Sequence, residues 1–198
     1  MRNSAHSLIR RRIEAAIALK QEILESQKIS AQIEELVSKC EQSLRLGGKI
    51  IFAGNGGSFA DAQHLAAEFI SRFMFDRAPL AAMVLGANNS AISAIGNDYG
   101  YEQVFARELQ GLANSNDFFI PISTSGNSAN VISAVLTAKE LGISTMALTG
   151  ESGGNLRSIC ECLCVPSNET ARIQECHIMI GHIVCELVED SIFKKRSE

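Results

Sequence analysis

The chain has 198 residues, of which 46% are hydrophobic, 20% are charged and 6% are aromatic, and its net charge is −4. This composition excludes a disordered or collagen-like chain, and a mildly acidic protein lacks the basic surface by which nucleic-acid-binding proteins hold phosphate backbones. No stretch reaches the ~18 uncharged apolar residues of a membrane span, and charged residues interrupt the N-terminal apolar run, so we expect neither a signal peptide nor a membrane contact.

Residues 1–47 are predicted to form a pair of helices. Apolar residues recur at helical spacing through residues 5–27. Ser30 is predicted to cap a second helix, which ends at Gly47 and Gly48. Together with the long C-terminal helix, this pair exceeds what a small sheet needs for cover. We therefore expect the terminal helices to pack between subunits as well.

From Lys49 onward, short apolar runs without polar alternation are separated by helical patterns. Such runs are typical of strands in a parallel sheet that helices cover on both faces. The runs are Ile50–Ala53, Leu80–Leu85, Phe118–Ile122, Thr145–Leu148 and Cys162–Val165. We predict one α/β domain over residues 1–198, with a core of about five parallel strands at 48–170 and a final helix at 171–193.

The cysteines indicate a reducing compartment. They are Cys40, Cys160, Cys162, Cys164, Cys176 and Cys185, with no Cys-x-x-Cys pair among them. Three of them alternate along a predicted strand, where neighbouring sulfurs lie ~6.6 Å apart, too far for one metal ion. We therefore expect buried, reduced thiols in a cytosolic protein.

Two polar loops follow predicted strands, at the sheet edge where open parallel sheets bind ligands. The glycine loop, residues 53–58, offers backbone amides from Gly56 and Gly57 and polar side chains from Asn55 and Ser58. Its pattern is neither G-x-G-x-x-G nor a Walker motif, which disfavours nucleotide binding.

The second of these, the serine loop, spans residues 123–128. Four hydroxyls, from Ser123, Thr124, Ser125 and Ser128, converge there on the positive end of the next helix dipole. We interpret this loop as a phosphate cradle that needs no Lys or Arg. The alternative is that both loops are ordinary helix caps.

Ionisable residues on two predicted helices form the remaining candidate site. His64 and Glu68 are four residues apart, a spacing that fits a metal pair or an acid–base pair and also occurs as an idle surface contact. The last helix carries Gln174, His177 and His182. His177 and His182 point ~140° apart, so only one can face a given site, and we expect His177 to be an ordinary buried polar residue. Gln174 and His182 are ~12 Å apart along the axis, so a metal ion shared by both would need reaching side chains or a second subunit.

Together these motifs resemble the phosphoheptose isomerase (sedoheptulose 7-phosphate isomerase) family, whose members have the sugar-isomerase, or SIS, fold. The motifs are Gly54–Ser58, Asp61–His64 with Glu68, Ala94–Asp98, Ser123–Gly126, and Arg172–Glu175 with His177 and His182. The resemblance implies a three-layer, flavodoxin-like fold, a homotetramer and one Zn²⁺ per subunit. It also implies isomerisation of sedoheptulose 7-phosphate to D-glycero-D-manno-heptose 7-phosphate through an enediol, which supplies heptose for lipopolysaccharide or capsule.

The same resemblance implies roles for individual residues. Glu68 and His182 would be the catalytic pair, and His64, Glu68, Gln174 and His182 the metal ligands. The substrate contacts would be Asn55, Gly56, Gly57, Ser58, Glu68, Asn97, Asp98, Ser123, Thr124, Ser125, Ser128 and Gln174. One position departs from the family: Ala171 stands where some members have an aspartate, so we assign no role there.

Two other functions compete with the isomerase. Non-catalytic SIS tetramers that bind the replication initiation protein DnaA resemble this chain in fold and loops, but the presence of both Glu68 and His182 favours the enzyme. A sugar-phosphate-sensing regulator would need a DNA-binding domain, for which we find no residues to spare. We expect Glu68 to act as the base and zinc as a supporting electrophile, because ligation of Glu68 would lower its basicity.

Overall fold

The computed structural model of the chain describes residues 2–194, with side chains from residue 5 onward. Within that range there are seven α-helices, five β-strands and two short 3₁₀ helices. The α-helices are α1 (Arg2–Glu25), α2 (Gln27–Arg45), α3 (Gly57–Ile70), α4 (Asn89–Tyr99), α5 (Val104–Leu112), α6 (Ala129–Glu140) and α7 (Thr170–Phe193). The strands are β1 (Ile50–Gly54), β2 (Ala82–Val84), β3 (Phe118–Ser123), β4 (Ser144–Thr149) and β5 (Glu161–Cys164). The 3₁₀ helices are Tyr101–Gln103 and Gly154–Ser158.

The strands form one parallel sheet in the order β2-β1-β3-β4-β5. This is the flavodoxin-like order, in which the chain reverses direction across the sheet between β1 and β3. Each of the five predicted apolar runs contains or overlaps one strand. The predicted fold class is therefore confirmed.

Helices cover the sheet on both faces because its strands are apolar on both faces. Ile50 and Phe52 of β1 pack into a core with α2, α3 and α7. The intervening residues, Ile51 and Ala53, pack into a second core with α5 and α6. Residues 50–53 are almost fully buried. Pairing of β1 with both β2 and β3 sets the position of the loop that follows it.

The helix boundary near the N-terminus differs from the prediction. Ser26, not Ser30, caps α2: its Oγ accepts a hydrogen bond from the Ile29 N–H at 3.3 Å. Ser30 lies one turn inside the helix, where its N–H donates to the Ser26 carbonyl. Only one residue separates α1 from α2, so the apolar period runs across the break and periodicity alone could not locate it.

Helix α1 leaves its apolar residues largely exposed. Its exposed apolar residues are Leu8, Ile9, Ile13, Ile17 and Leu24, with 47–73% of their surface accessible. In its C-terminal half, Leu19 and Ile23 are buried in the core beside α2 and α7. Near its middle, the Arg172 guanidinium donates to the Arg12 carbonyl at 3.0 Å and Arg12 pairs with Glu169. No helix in the described part of the chain is both long enough and apolar enough to span a membrane.

Helices α3 and α7 lie side by side and run in the same direction. Gly57 at the start of α3 faces Gln174 near the start of α7, and Leu65 faces Gly181 further along. A Cβ on Gly181 would lie 2.5 Å from the Leu65 side chain, so this glycine permits the close approach of the two helices. This packing brings residues of α3 and α7 that are far apart in sequence onto one surface.

Candidate active site

The glycine loop connects β1 to α3 at the carboxyl edge of the sheet. Gly56 has a φ of 56° and precedes the first residue of α3, a conformation that favours glycine over residues with a Cβ. A Cβ on Gly57 would lie 2.5 Å from Nε2 of Gln174, so Gly57 allows the Gln174 amide to reach the loop. Ser58 is buried, whereas Gly56 and Gly57 are exposed. The loop therefore exposes its backbone at Gly56 and Gly57.

Asn55 is held in place by two residues that the sequence motifs did not single out. Its amide exchanges two hydrogen bonds with the buried amide of Asn130 on α6, at 2.8 and 2.9 Å. The exposed hydroxyl of Tyr101 donates to the Asn55 side-chain oxygen at 3.3 Å. These contacts fix the side-chain orientation of Asn55 and connect the glycine loop to the start of α6. Sequence spacing gave no signal for either partner, because both contacts are long-range.

The serine loop connects β3 to α6 at the same edge. Ser128 is the N-cap residue of α6, but its side chain makes no capping hydrogen bond; its Oγ lies 3.1 Å from that of Ser123. The Ser125 Oγ is exposed and accepts the Asn127 N–H at 3.1 Å. Gly126 has a φ of 65°, and a Cβ there would clash with the Gly153 carbonyl, so this turn requires glycine. An uncapped helix end beside several hydroxyls is suited to binding an anion.

The two loops are neighbours because β1 and β3 are paired. Gly54 at the end of β1 is in register with Ile122, the residue before the serine loop.

Two more predicted contacts, Asn97 and Asp98, lie on the exposed surface of α4, where the Asn97 amide donates to the Asp98 carboxylate at 2.8 Å. A cleft of about 250 Å³ opens between the glycine loop and the start of α4 and is lined in part by Asn55, Asn89 and Tyr101. The predicted substrate contacts other than Glu68 thus lie on the loops and helices that follow β1, β2 and β3, with Gln174 reaching them from α7.

The histidine cluster, His64, Glu68 and His182, forms where α3 packs beside α7. The Nε2 atoms of His64 and His182 are 2.9 Å apart, and His64 Nε2 lies 3.3 Å from a Glu68 carboxylate oxygen. The Phe73 ring also packs against His182, with 5.5 Å between ring centroids. About half of the His64 side chain is exposed, against a quarter of that of Glu68. An ionisable acid and two imidazoles therefore meet on one accessible surface.

Asp61 lies one turn before this cluster on α3. One of its carboxylate oxygens is buried and has no hydrogen-bond partner. Burial raises the pKa of Asp61, and the nearby His64 partly offsets that rise. Asp61 is therefore a half-buried carboxylate next to the histidine cluster, and we do not count it among the residues of the cluster.

The described side chains do not form a complete metal site. No group of three or more His, Cys, Asp or Glu side chains among residues 5–194 is arranged to hold a metal ion. Gln174, the fourth predicted ligand, lies eight residues before His182, about 12 Å along α7, and its amide packs against Gly57. The structure thus brings His64, Glu68 and His182 together and places Gln174 at the glycine loop.

The histidine cluster and the polar loops are separated within one chain. Glu68 follows Gly57 by eleven residues, which is about 16 Å along α3. The cluster therefore lies on the flank of the helix pair, whereas both loops lie at the sheet edge.

His177 is fully buried and lies apart from the cluster. Its Nε2 lies 3.1 Å from the Thr149 carbonyl, an acceptor, so Nε2 carries the proton and donates it. Its Nδ1 has no partner, and burial lowers the pKa of His177 to about 4. The interpretation of His177 as a buried structural residue agrees with this geometry. All six cysteines are free.

Comparison with known proteins gives consistent results at the level of family, sequence and structure. The SIS-domain family model matches residues 13–150. A phosphoheptose isomerase from Aneurinibacillus thermoaerophilus is 49% identical over 189 residues, which cover 95% of this chain and 96% of that protein. One from Sulfurimonas denitrificans is 47% identical over 186 residues, with coverages of 93% and 95%. The solved structure of a phosphoheptose isomerase from Neisseria gonorrhoeae superposes with a TM-score of 0.87 at 39% identity and covers 94% of this chain and 99% of its own.

Proposed function

The chain belongs to the phosphoheptose isomerase family, and we propose that it converts D-sedoheptulose 7-phosphate into D-glycero-D-manno-heptose 7-phosphate through an enediol. The observation that carries this proposal is the meeting of Glu68 with His64 and His182 on the α3–α7 surface. Aldose–ketose isomerisation needs a base and an acid side by side, and this contact supplies both. The product is a heptose precursor for lipopolysaccharide or capsule.

In the proposed mechanism the Glu68 carboxylate removes the proton from C1 of the open-chain ketose, which gives the enediol. Return of that proton to C2 completes the aldose. His182 moves a proton between the two oxygens on C1 and C2, since an imidazole can donate and accept near neutral pH. His64, in contact with both side chains, holds them in this arrangement.

We propose that the serine loop binds the phosphate group of the substrate. Its hydroxyls and the first N–H groups of α6 are donors, and a dianion at this point is favoured by the helix dipole. The glycine loop, fixed through Asn55 and Asn130, then contacts the sugar next to it. Binding one end of the substrate firmly keeps the reacting carbons at a constant position.

A homotetramer is the proposed assembly. The exposed apolar residues of α1 support it, because a monomer rarely leaves a contiguous apolar surface open to water. The exposure of His64 supports it too, since a neighbouring subunit would have to exclude water from the acid–base pair. We expect the chain to sediment as a tetramer at micromolar concentration.

Assembly is tested by charged substitutions on α1. We expect Ile13→Glu with Ile17→Glu to give smaller particles and to lower kcat, as judged by sedimentation velocity and turnover on the same samples. Glu22→Gln, a change of an exposed α1 residue, is the matched control. A monomeric wild-type chain with full activity would exclude both the tetramer and a site shared between subunits.

Zinc, one ion per subunit, is a further part of the proposal. Zinc binds imidazole nitrogen and carboxylate oxygen at about 2.0–2.2 Å, so tetrahedral ligand atoms lie ~3.3 Å apart. The His64–Glu68 separation of 3.3 Å fits this spacing, and the two Nε2 atoms at 2.9 Å would have to move apart slightly. His64, Glu68 and His182 of one chain would hold the ion. Gln174 of that chain lies about 12 Å from His182 along α7, so the fourth ligand would be Gln174 of a neighbouring subunit. Bound zinc would stabilise the developing negative charge on the enediolate oxygen.

Zinc binding is tested by metal analysis of the purified protein. We expect about one zinc per wild-type subunit, loss of the ion in His64→Ala, and a reversible loss of activity on chelation. His6→Ala, which removes an exposed imidazole from α1, is the control. Full activity in a wild-type protein shown to contain no metal would reject this part of the proposal.

The activity itself is tested by incubating the purified protein with sedoheptulose 7-phosphate and detecting an aldose heptose phosphate. Formation of that product by the wild type but not by Glu68→Gln is the expected result. Absence of turnover in metal-replete tetramer would instead favour a non-catalytic binding protein. The phosphoheptose isomerase relatives give the DnaA-binding alternative no support.

A cytosolic location is the last part of the proposal. The six free thiols support it, because disulfides are rare in the reducing cytosol.

A further inference from the structure

A buried ion pair lies behind the histidine cluster. Arg77, in the segment between α3 and β2, contacts Glu189 on α7, with 2.8 Å between Nε and the carboxylate oxygen. Only 3% of the Arg77 side chain and none of the Glu189 side chain is exposed. Such a pair is a costly way to stabilise a fold, because removing two charges from water offsets most of their attraction. Its position suggests another role.

Glu189 holds the segment that follows α3. Its two carboxylate oxygens accept the backbone N–H groups of Phe73 at 2.8 Å and Met74 at 2.7 Å, as well as the Arg77 Nε–H. Burial raises the pKa of Glu189, but these three donors outweigh burial and the net pKa is lowered. Glu189 is thus an ionised anchor for Phe73, whose ring packs against His182.

Arg77 holds the other member of the acid–base pair. Its guanidinium donates to the carbonyls of Glu68 at 2.9 Å and Phe69 at 2.7 Å, in the last turn of α3, and to the Ala78 carbonyl at 3.1 Å. The Phe69 carbonyl also accepts the Leu80 N–H at 3.0 Å, and a cation at the C-terminal end of a helix is favoured by the helix dipole. The backbone of Glu68 is therefore tied to Arg77, and through Arg77 to α7.

We propose that Arg77 and Glu189 are positioning residues that fix the Glu68 carboxylate relative to the His182 imidazole. Arg77 acts through the Glu68 carbonyl, and Glu189 acts through Phe73. The hydrogen bonds of both residues reach the backbone beside the cluster and not its reacting side chains. The inference rests on the proposed isomerase function, in which these two side chains transfer protons.

The control for this proposal is a second buried ion pair remote from the cluster. The Asp117 carboxylate is fully buried and accepts two backbone N–H groups, of Lys49 at 2.9 Å and Asn114 at 2.8 Å, and the Lys49 ammonium at 2.6 Å. It lies at the amino ends of β1 and β3, the opposite end of the sheet from the polar loops. Asp117→Asn thus disturbs the same kind of network as Glu189→Gln. The hydrogen-bond partners of Asp117 lie outside α3 and α7, the helices that carry Glu68 and His182.

The experiment compares Glu189→Gln with Asp117→Asn at a temperature where both are folded. We expect Glu189→Gln to lower kcat by about 10²-fold with KM changed by less than about threefold, since small displacements of reacting groups have effects of this size. Asp117→Asn should keep kcat within about twofold of wild type. Equal losses of kcat in the two variants, or no loss in Glu189→Gln, would overturn the proposal.

Histidine NMR provides a readout that does not depend on activity. With only four histidines in the chain, the imidazole C–H signals can be assigned individually. Glu189→Gln should shift the His182 and His64 signals and leave the His177 signal in place. Unshifted His182 and His64 signals would overturn the proposal. This readout holds even if the wild type shows no isomerase activity. Should Glu189→Gln fail to fold, Arg77→Lys is used instead, because one ammonium cannot replace the guanidinium fork. Wild-type kcat and unshifted signals in Arg77→Lys would likewise overturn the proposal.

Discussion

The polar loops and the histidine cluster are built in different ways, although both belong to the proposed active site. The glycine and serine loops are continuous stretches of six residues, whose backbone amides and hydroxyls act at the ends of neighbouring strands. The cluster consists of side chains on two helices, and His64 and His182 are 118 residues apart in the chain. The loops are suited to binding, because fixed donors surround an anion, whereas the cluster is suited to moving protons.

This difference predicts a division between affinity and turnover. Changes in the loops should raise KM and leave kcat nearly intact, and changes in the cluster should do the reverse.

The largest effect is expected from Glu68→Gln. Glutamine keeps the size of the side chain but cannot accept a proton, so kcat should fall by about 10²–10⁴-fold with a small change in KM. His182→Asn should have a similar effect, and the double variant should be little worse than either single one, because the pair acts as a unit. Steady-state kinetics measures all three.

Glu186→Gln, on the exposed side of α7, is the matched control for Glu68→Gln. Exchange of the C1 proton of the substrate with solvent deuterium gives a direct check on the base. A Glu68→Gln enzyme that exchanges this proton at the wild-type rate would show that another group removes it.

The next effect concerns His177, which shares α7 with the cluster but not its role. Burial lowers its pKa from 6.5 to about 4 in the folded state. Above pH 6.5 the residue is neutral in both states. As the pH falls from 6.5 to 4 the unfolded chain takes up the proton first, so stability declines by about 3 kcal/mol and then levels off.

Urea unfolding of wild type and His177→Gln across this pH range measures that contribution. The variant should lose less stability between pH 6.5 and 4, while its kcat at pH 7.5 stays near that of the wild type. Parallel stability curves for the two proteins would mean that His177 is not buried in its neutral form.

A smaller effect is expected from single serine changes in the serine loop. Ser123→Ala and Ser125→Ala each remove a hydroxyl donor to a dianion, worth about 1.5–3 kcal/mol, so KM should rise by about 10–150-fold while kcat and assembly persist. Ser133→Ala on α6 is the control, since its hydroxyl points to Gln103 instead. Unchanged KM in both loop variants would place the phosphate elsewhere.

The sequence predictions succeeded best for features that depend on residues close together in the chain. Five unalternating apolar runs predicted the five strands, because the composition of a strand buried on both faces is a local property. The α1–α2 boundary was wrong by one turn, because Ser26 and Ser30 are both plausible caps and only the fold selects one of them. The roles predicted for the site residues remain predictions, although the structure brings three of the four proposed metal ligands together.

By itself, the sequence determined the parallel sheet and the two polar loops, because strand burial, glycine turns and helix starts depend on neighbouring residues. The tertiary structure alone decided three contacts: that of His64 with His182, that of Asn55 with Asn130, and the buried ion pair of Arg77 with Glu189. Each of these joins residues 75 or more positions apart. Their geometry depends on how closely helices pack and in which direction. At α3–α7 the close approach is permitted by the absence of a side chain on Gly181 beside Leu65, which neither periodicity nor spacing records.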